Sequence, residues 1–276
     1  MAEPDQRAGL FPALLKHWRG RRGLSQLDLA LVADVSARHV SFLETGRSRP
    51  SPEMVQRLGE ALGVPLRQVN AMLRAAGHEP AYPDSTSPLP EAVMQALALM
   101  KDHHEPFPLI VLDRAYRVLD LNAGAAALLA AILGHSPAAG TPEGGEEPNL
   151  ARLTFDPAGA RPFVVNFEEV GRDLLWRIQR EVLADPGDEE LRALLDDLLA
   201  MPTVEDHWRR ADLTVPSDPA LVLHLRRGDV DLRFVVAVTA FQAPQHVAVE
   251  QVRIETWLPY DADTASACRS MAVTPA

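Results

Sequence analysis

The stretch that decides how the rest of the chain is read runs from Gly23 to Pro50, GLSQLDLALVADVSARHVSFLETGRSRP. Ser25 and Asp28 stand three residues apart, the spacing at which a hydroxyl and a carboxylate each accept a backbone N–H at a helix start. Leu27, Ala30 and Leu31 then fall at helical spacing, and Ala33-Asp34-Val35 makes a turn. Ser36 caps a second helix, in which Val40 and Leu43 point inward with Val35 while Ala37, Arg38, Ser41 and Thr45 take the opposite face. Gly46 ends it, because glycine enters left-handed backbone without steric cost. Two short helices, a tight turn and a basic loop together point to a DNA-reading element.

At these residues the chain resembles the helix-turn-helix of the Xre/Cro/C1 repressor family. The matching pattern is L-S-Q-x-x-L-A at Leu24 to Ala30, V-S at Val35-Ser36, and L-E-x-G-x-x-x-P at Leu43 to Pro50, in a frame from about Phe11 to Tyr82. The resemblance implies a five-helix domain whose second motif helix enters the major groove. Asp34 stands where that family usually has glycine; the turn requires positive φ, which aspartate tolerates better than most residues. The resemblance also implies an internal ion pair between Arg19 and Glu44.

Position assigns roles within the motif. Gln26, at the start of its helix, suits a phosphate or a base edge. Arg38 is the candidate for base reading, since a guanidinium donates two hydrogen bonds to guanine O6 and N7. Phe42 either meets a thymine methyl or packs on the domain's own core. Ser36, Ala37, His39 and Ser41 are candidate groove or backbone contacts, and Arg47 and Arg49 are expected on phosphates, which position without specifying sequence.

Around the motif, Leu10, Leu14, Leu15 and Trp18 form a core stripe on a first helix. Ser51-Pro52-Glu53 opens a helix with a cap, a first-turn proline and a carboxylate near the positive end. Leu66 to Ala76 forms the last helix of an all-α DNA-binding domain, residues 1–82. A Pro/Ser-rich linker follows at 83–90, then a second domain at 91–265 and a tail at 266–276.

The chain has 276 residues, 47% hydrophobic and 24% charged, enough for about two globular domains. Its net charge of -11 is unevenly spread: residues 1–82 hold eleven Lys and Arg against eight Asp and Glu, so the acidic excess lies beyond them. A basic head on an acidic body argues for separate jobs. No run of roughly 18 apolar residues is present and MAEPDQRAGL has no signal pattern, so no membrane partner and a cytoplasmic location are expected. Cys268 alone makes no disulfide framework, and a solvated, incidental thiol is expected.

The second domain begins with a helix from Glu91 to His103. Pro108 to Asp113 and Val118 to Asn122 read as a hairpin about Arg114-Ala115-Tyr116, and a small-residue helix, Ala123 to Leu133, follows the asparagine. His135 to Pro148 is a Pro/Gly/Glu-rich loop. Helices are expected at Phe167 to Ala184, at Glu189 to Met201 and around Trp208. Strands are expected at Leu221 to Leu225, Leu232 to Phe241 and Val249 to Leu258, completing an α+β domain with a five-stranded antiparallel sheet.

This order, with Asn149-Leu150-Ala151-Arg152-Leu153, Phe155-Asp156-Pro157 and Asp206-His207-Trp208, resembles the ligand-binding domain of the MmyB-like transcription regulators. The resemblance implies a PAS-like fold with an apolar cavity, no required cofactor, and a bound fatty acid or similar apolar ligand. Ser217-Asp218-Pro219 and Leu221-Val222-Leu223-His224 depart from the His-Pro pair and glycine common there, which leaves room for a different ligand. Trp176, Trp208 and Trp257 line either a cavity or a packed core. Arg177, Arg180, Arg209, His207 and His224 are candidates to pair with a ligand carboxylate at the cavity mouth.

Catalysis is not expected. The chain lacks G-x-S-x-G, H-E-x-x-H, glycine-rich phosphate loops and paired cysteines, and His103-His104-Glu105 points its side chains in different directions, so no metal site is expected. The competing reading is a repressor whose acidic domain docks a protein partner. Either way double-stranded DNA is one partner and a second copy another, since one motif reads half of a palindromic site.

Overall fold

The computed structural model describes residues 10–82, 88–134, 148–185, 188–210, 221–241 and 246–273. The expected loop at His135 to Pro148 and the departure at Ser217-Asp218-Pro219 fall outside these residues except at Pro148, as does the linker apart from residues 88–90. The chain separates into two compact units, one of Met1–Leu89 with Phe241–Gln251, the other of Pro90–Ala240 with Val252–Ala276.

Five helices open the first unit: α1 (Leu10–Arg21), α2 (Gln26–Val32), α3 (Ala37–Glu44), α4 (Pro52–Ala61) and α5 (Leu66–Ala75). Ser25, Ser36 and Ser51 each accept a backbone N–H at the head of α2, α3 and α4, and Asp28 completes a capping box on α2. Asp34 takes φ 51° in the turn and Gly46 φ 70° after α3. The core holds Phe11, Leu15, Trp18, Leu29, Ala30, Val40, Leu43, Val55, Leu58, Val69, Met72 and Leu73. Two expectations shift phase. Leu27 and Leu31 are 59% and 72% exposed, because α2 turns Leu29, Ala30 and, just past its end, Ala33 inward; Leu10 is likewise exposed while Phe11 is buried.

The second unit contains α6 (Glu91–His104), β1 (Leu109–Leu112), β2 (Val118–Leu121), α7 (Ala123–Leu133), α8 (Leu150–Phe155), α9 (Phe167–Ala184), α10 (Glu189–Ala200), β3 (Val222–Arg227), β4 (Val230–Thr239), β5 (Arg253–Pro259) and α12 (Ala262–Val273). Its sheet is antiparallel throughout, in the order β2-β1-β5-β4-β3. The remaining helix, α11 (Val247–Gln251), belongs to the first unit. A strand had been expected from Val249, on β-branched composition. Instead Val247 and Val249 are buried in a helical turn, and β5 starts at Arg253.

Asn122 explains why an asparagine separates β2 from α7. Its carbonyl accepts from Ala125 N–H at the helix head and from Leu109 N–H on β1, each at 2.9 Å, while its amide donates to the Phe107 carbonyl at 2.8 Å. Glu105 accepts from the N–H groups of Ala123 and Gly124 at 2.7 and 3.0 Å, so that carboxylate caps a helix. The expected tail from residue 266 is instead the greater part of α12, which packs on α7 and β4. Cys268 on it is 3% exposed, contrary to the solvated thiol expected, and burial pushes its pKa up to about 11.

Candidate functional sites: a DNA-reading helix and an apolar cavity

In the first unit, Arg19 and Glu44 form the expected ion pair, Nε to Oε1 at 2.6 Å and Nη2 to Oε2 at 3.1 Å. Gln26 joins them, its amide donating to Glu44 Oε2 at 2.7 Å, so this candidate DNA contact also ties α2 to α3. Burial alone would raise the Glu44 pKa, but the hydrogen bonds from Arg19 and Gln26 outweigh it and hold the carboxyl below its ordinary value. The pair ties α1 to α3.

On α3, Ser36 and Arg38 are exposed, His39 and Ser41 half-buried, and Ala37 packs partly on the core. Phe42 is half-buried but outside the core cluster. The guanidinium carbons of Arg38 and Arg47 lie 5.2 and 6.0 Å from its ring centroid. Its packing partners are thus two arginines, an arrangement in which the ring's negative face holds cations in place. Arg47 N–H donates to the Phe42 carbonyl at 2.9 Å, and the Pro50 carbonyl lies 2.9 Å from His78 Nε2, which fixes both ends of the basic loop. Arg38, Arg47 and Arg49 make no ion pair with a carboxylate among the described residues, leaving three exposed cations around one helix.

In the second unit a cavity of about 450 Å³ opens between the sheet and helices α7, α8 and α9. Leu128, Leu129 and Ile132 come from α7, Leu150 and Ala151 from α8, Val170 and Leu174 from α9, Leu223 and Leu225 from β3, and Val236 and Val238 from β4. The volume is ordinary for a small-molecule site.

One part of the wall is polar: Tyr116, Asp173, Arg177 and Glu255. Tyr116 takes φ 64° in the hairpin turn, and its buried hydroxyl, beside Arg253, makes no hydrogen bond of good geometry among the described residues. Burial pushes its pKa up to about 12. The Arg177 and Arg253 guanidinium carbons stand 5.8 and 5.1 Å from the Tyr116 ring centroid. Arg253 is already spent on Glu181 through two hydrogen bonds of 2.9 Å. Arg177 Nε, by contrast, is buried without a hydrogen-bond partner among the described residues. Burial opposes the charge on Arg177, yet the neighbouring Tyr116, Glu255 and Glu181 more than offset it and keep the group cationic. Glu255, 6% exposed, accepts from Trp257 Nε1 at 3.3 Å; burial raises its pKa above the usual carboxylate range, although Arg177 pulls the other way.

Of the residues the sequence offered for this site, Arg177 and Trp257 are in the cavity wall. Trp176, Arg180, His207, Trp208, Arg209 and His224 are outside it. Trp208 is core, 1% exposed, and its carbonyl accepts from Trp176 Nε1 and Gln179 Nε2. His207 accepts from Trp208 Nε1 and is largely exposed. Arg209 pairs with Asp206, and His224 with Asp231 at 2.7 Å. Tyr116, Asp173 and Glu255 are not among the sequence candidates, though two signals point to Asp173 and Glu255. Asp173 and Arg177 are four apart on α9 and share a face, and Arg253, Glu255 and Trp257 alternate onto one face of β5.

Two family models match the chain. One, described as MmyB-like transcription regulator ligand binding domain, covers residues 93–271, and the other, described as Helix-turn-helix, covers residues 15–69. No curated protein matches it.

Proposed function

Because the chain belongs to the MmyB-like transcription regulators and carries their ligand-binding domain behind a helix-turn-helix, we propose that it reports an apolar, single-headed, fatty-acid-like molecule to DNA. At the coarser level it is a DNA-binding transcription regulator with a ligand-binding domain. The observation that carries the finer reading is a cavity with aliphatic walls and one polar place, where Arg177 Nε and the Tyr116 hydroxyl both lack a well-formed hydrogen bond among the described residues. Two unmet donors beside an apolar volume suit a chain ending in a hydrogen-bond acceptor such as a carboxylate. A concave cavity with mostly aliphatic walls also favours a small ligand over the protein-docking reading.

On DNA, α3 enters the major groove in this account. Arg38 reads a base, Phe42 steadies it, and Arg47 and Arg49 hold phosphates. A homodimer would place two such helices on half-sites about one helical turn apart.

The test is a titration of the purified chain with a fluorescent long-chain fatty acid and with the alcohol of equal length. Wild type should prefer the acid, and Arg177→Ala should lose that preference, about 1.5–3 kcal/mol for a hydrogen bond to a charged group. Equal binding of acid and alcohol by wild type would remove the assigned role of Arg177.

A further inference from the structure

Helix α5 differs from α2, α3 and α4 in having no cap of its own. Pro65 occupies its N-cap position with no side-chain hydrogen bond, and its first turn contains no acidic residue. The missing group arrives from far along the chain: both Glu250 oxygens accept from Leu66 N–H, at 3.1 and 3.0 Å. A carboxylate there satisfies an orphan donor and meets the positive end of the helix.

Glu250 sits on α11, in the Phe241–Gln251 segment that belongs to the first unit. The same segment is the covalent connection between β4 and β5, and these strands give Val236, Ala237, Val238, Glu255 and Trp257 to the cavity wall. The other connection also ends on α5. Asn70, 2% exposed, accepts from the N–H groups of Ala81 and Tyr82 and donates to the Tyr82 carbonyl, fixing the point where the chain leaves toward the linker. The chain crosses between the units three times, and both first-unit segments at those crossings are held on one helix, which packs on α1 and α4.

We infer that α5 is the receiver of the ligand signal, with Glu250 as its contact: a molecule wedged against β4 and β5 alters the Glu250 cap on Leu66. This rests on the cavity being the ligand site. The cap is a two-state element of the kind coupling requires, made or broken according to which arrangement the ligand binds better. Glu250 is a positioning residue and touches neither ligand nor DNA.

Hydrogen exchange on the full chain, with and without the fluorescent long-chain fatty acid, tests it. In wild type, exchange in the first turn of α5 should change on adding the probe. In Glu250→Ala that turn should exchange about 5- to 30-fold faster from the outset, the loss of one cap, and should no longer respond, while probe affinity shifts from the wild-type value by the factor that couples cap and cavity. Glu250→Gln, which keeps an acceptor but no charge, should fall between. Probe binding with an unchanged first turn in wild type, or an undiminished response in Glu250→Ala, would overturn the inference and leave the cavity reading standing. Failure of wild type to bind the probe would remove both.

Discussion

Arg19 and Glu44, 25 residues apart, meet edge to edge through two hydrogen bonds, with the Glu44 side chain 4% exposed. Removing Arg19 strands that carboxylate. Arg19→Ala should therefore cost about 3 kcal/mol in the stability of the DNA-binding unit, measured by urea unfolding. A loss within a few tenths would show that the pair is solvated in solution.

The same pair sets a pH response. Because the folded Glu44 pKa lies below its ordinary value of 4.5, its stabilisation is fully present above that value and lost as pH falls through the lowered one. Unfolding midpoints of wild type and Glu44→Gln should differ most near neutrality and converge on acidification. A difference that grows toward low pH would contradict the direction of the shift.

Arg38→Ala should cost about 1–3 kcal/mol on the best site and relax preference at one base pair. Phe42→Ala should weaken binding too, since the ring loses two guanidinium contacts worth roughly 0.5–1 kcal/mol each when exposed. Arg49→Ala should weaken all sites alike and lower the salt slope by about 1. Affinity selection on randomised duplexes separates these outcomes; an altered base preference in Arg49→Ala would remove it from the phosphates.

Tyr116→Phe deletes a buried hydroxyl that makes no well-formed hydrogen bond among the described residues. The ligand-free variant should be more stable than wild type, by about 1 kcal/mol, and should bind an acceptor-headed ligand less tightly. Thermal melts with and without the fatty acid show both signs at once. Destabilisation of the ligand-free protein would mean that the hydroxyl serves the fold.

Gly124 allows the head of α7 to approach the connection between α6 and β1. A Cβ there would stand 2.3 Å from the Pro106 carbonyl oxygen, and backbone cannot swing away as a side chain can. Gly124→Ala should lower stability by about 1–3 kcal/mol. Full tolerance in a melt would show that α7 shifts freely.

Elements with their own punctuation were legible in the sequence. Ser25, Ser36 and Ser51 announced three helices, and Asn122 marked the head of α7. The five strands followed from β-branched runs, but α11 did not, because VAVEQ has strand composition and its helical turn is settled by the burial of Val247 and Val249. Leu27 and Leu31 misled for a related reason. A seven-residue helix is too short for its pattern to fix which face turns inward. On the DNA side the candidates come from position along one helix. The cavity was harder, since its polar place joins a hairpin turn, a helix and a strand: Tyr116 and Glu255 are 139 residues apart, and nothing local ties them together. Tryptophans were a poor guide, as Trp208 is large enough to fill core on its own.

The most direct test of the central claim is native mass spectrometry of the chain purified gently from its expression host, followed by organic extraction. The account predicts a stoichiometric lipid-like species with one acceptor head, lost from a variant whose cavity is filled by Val236→Trp. A wild-type protein that carries nothing, and that still takes up no long-chain acid when one is added, would contradict it.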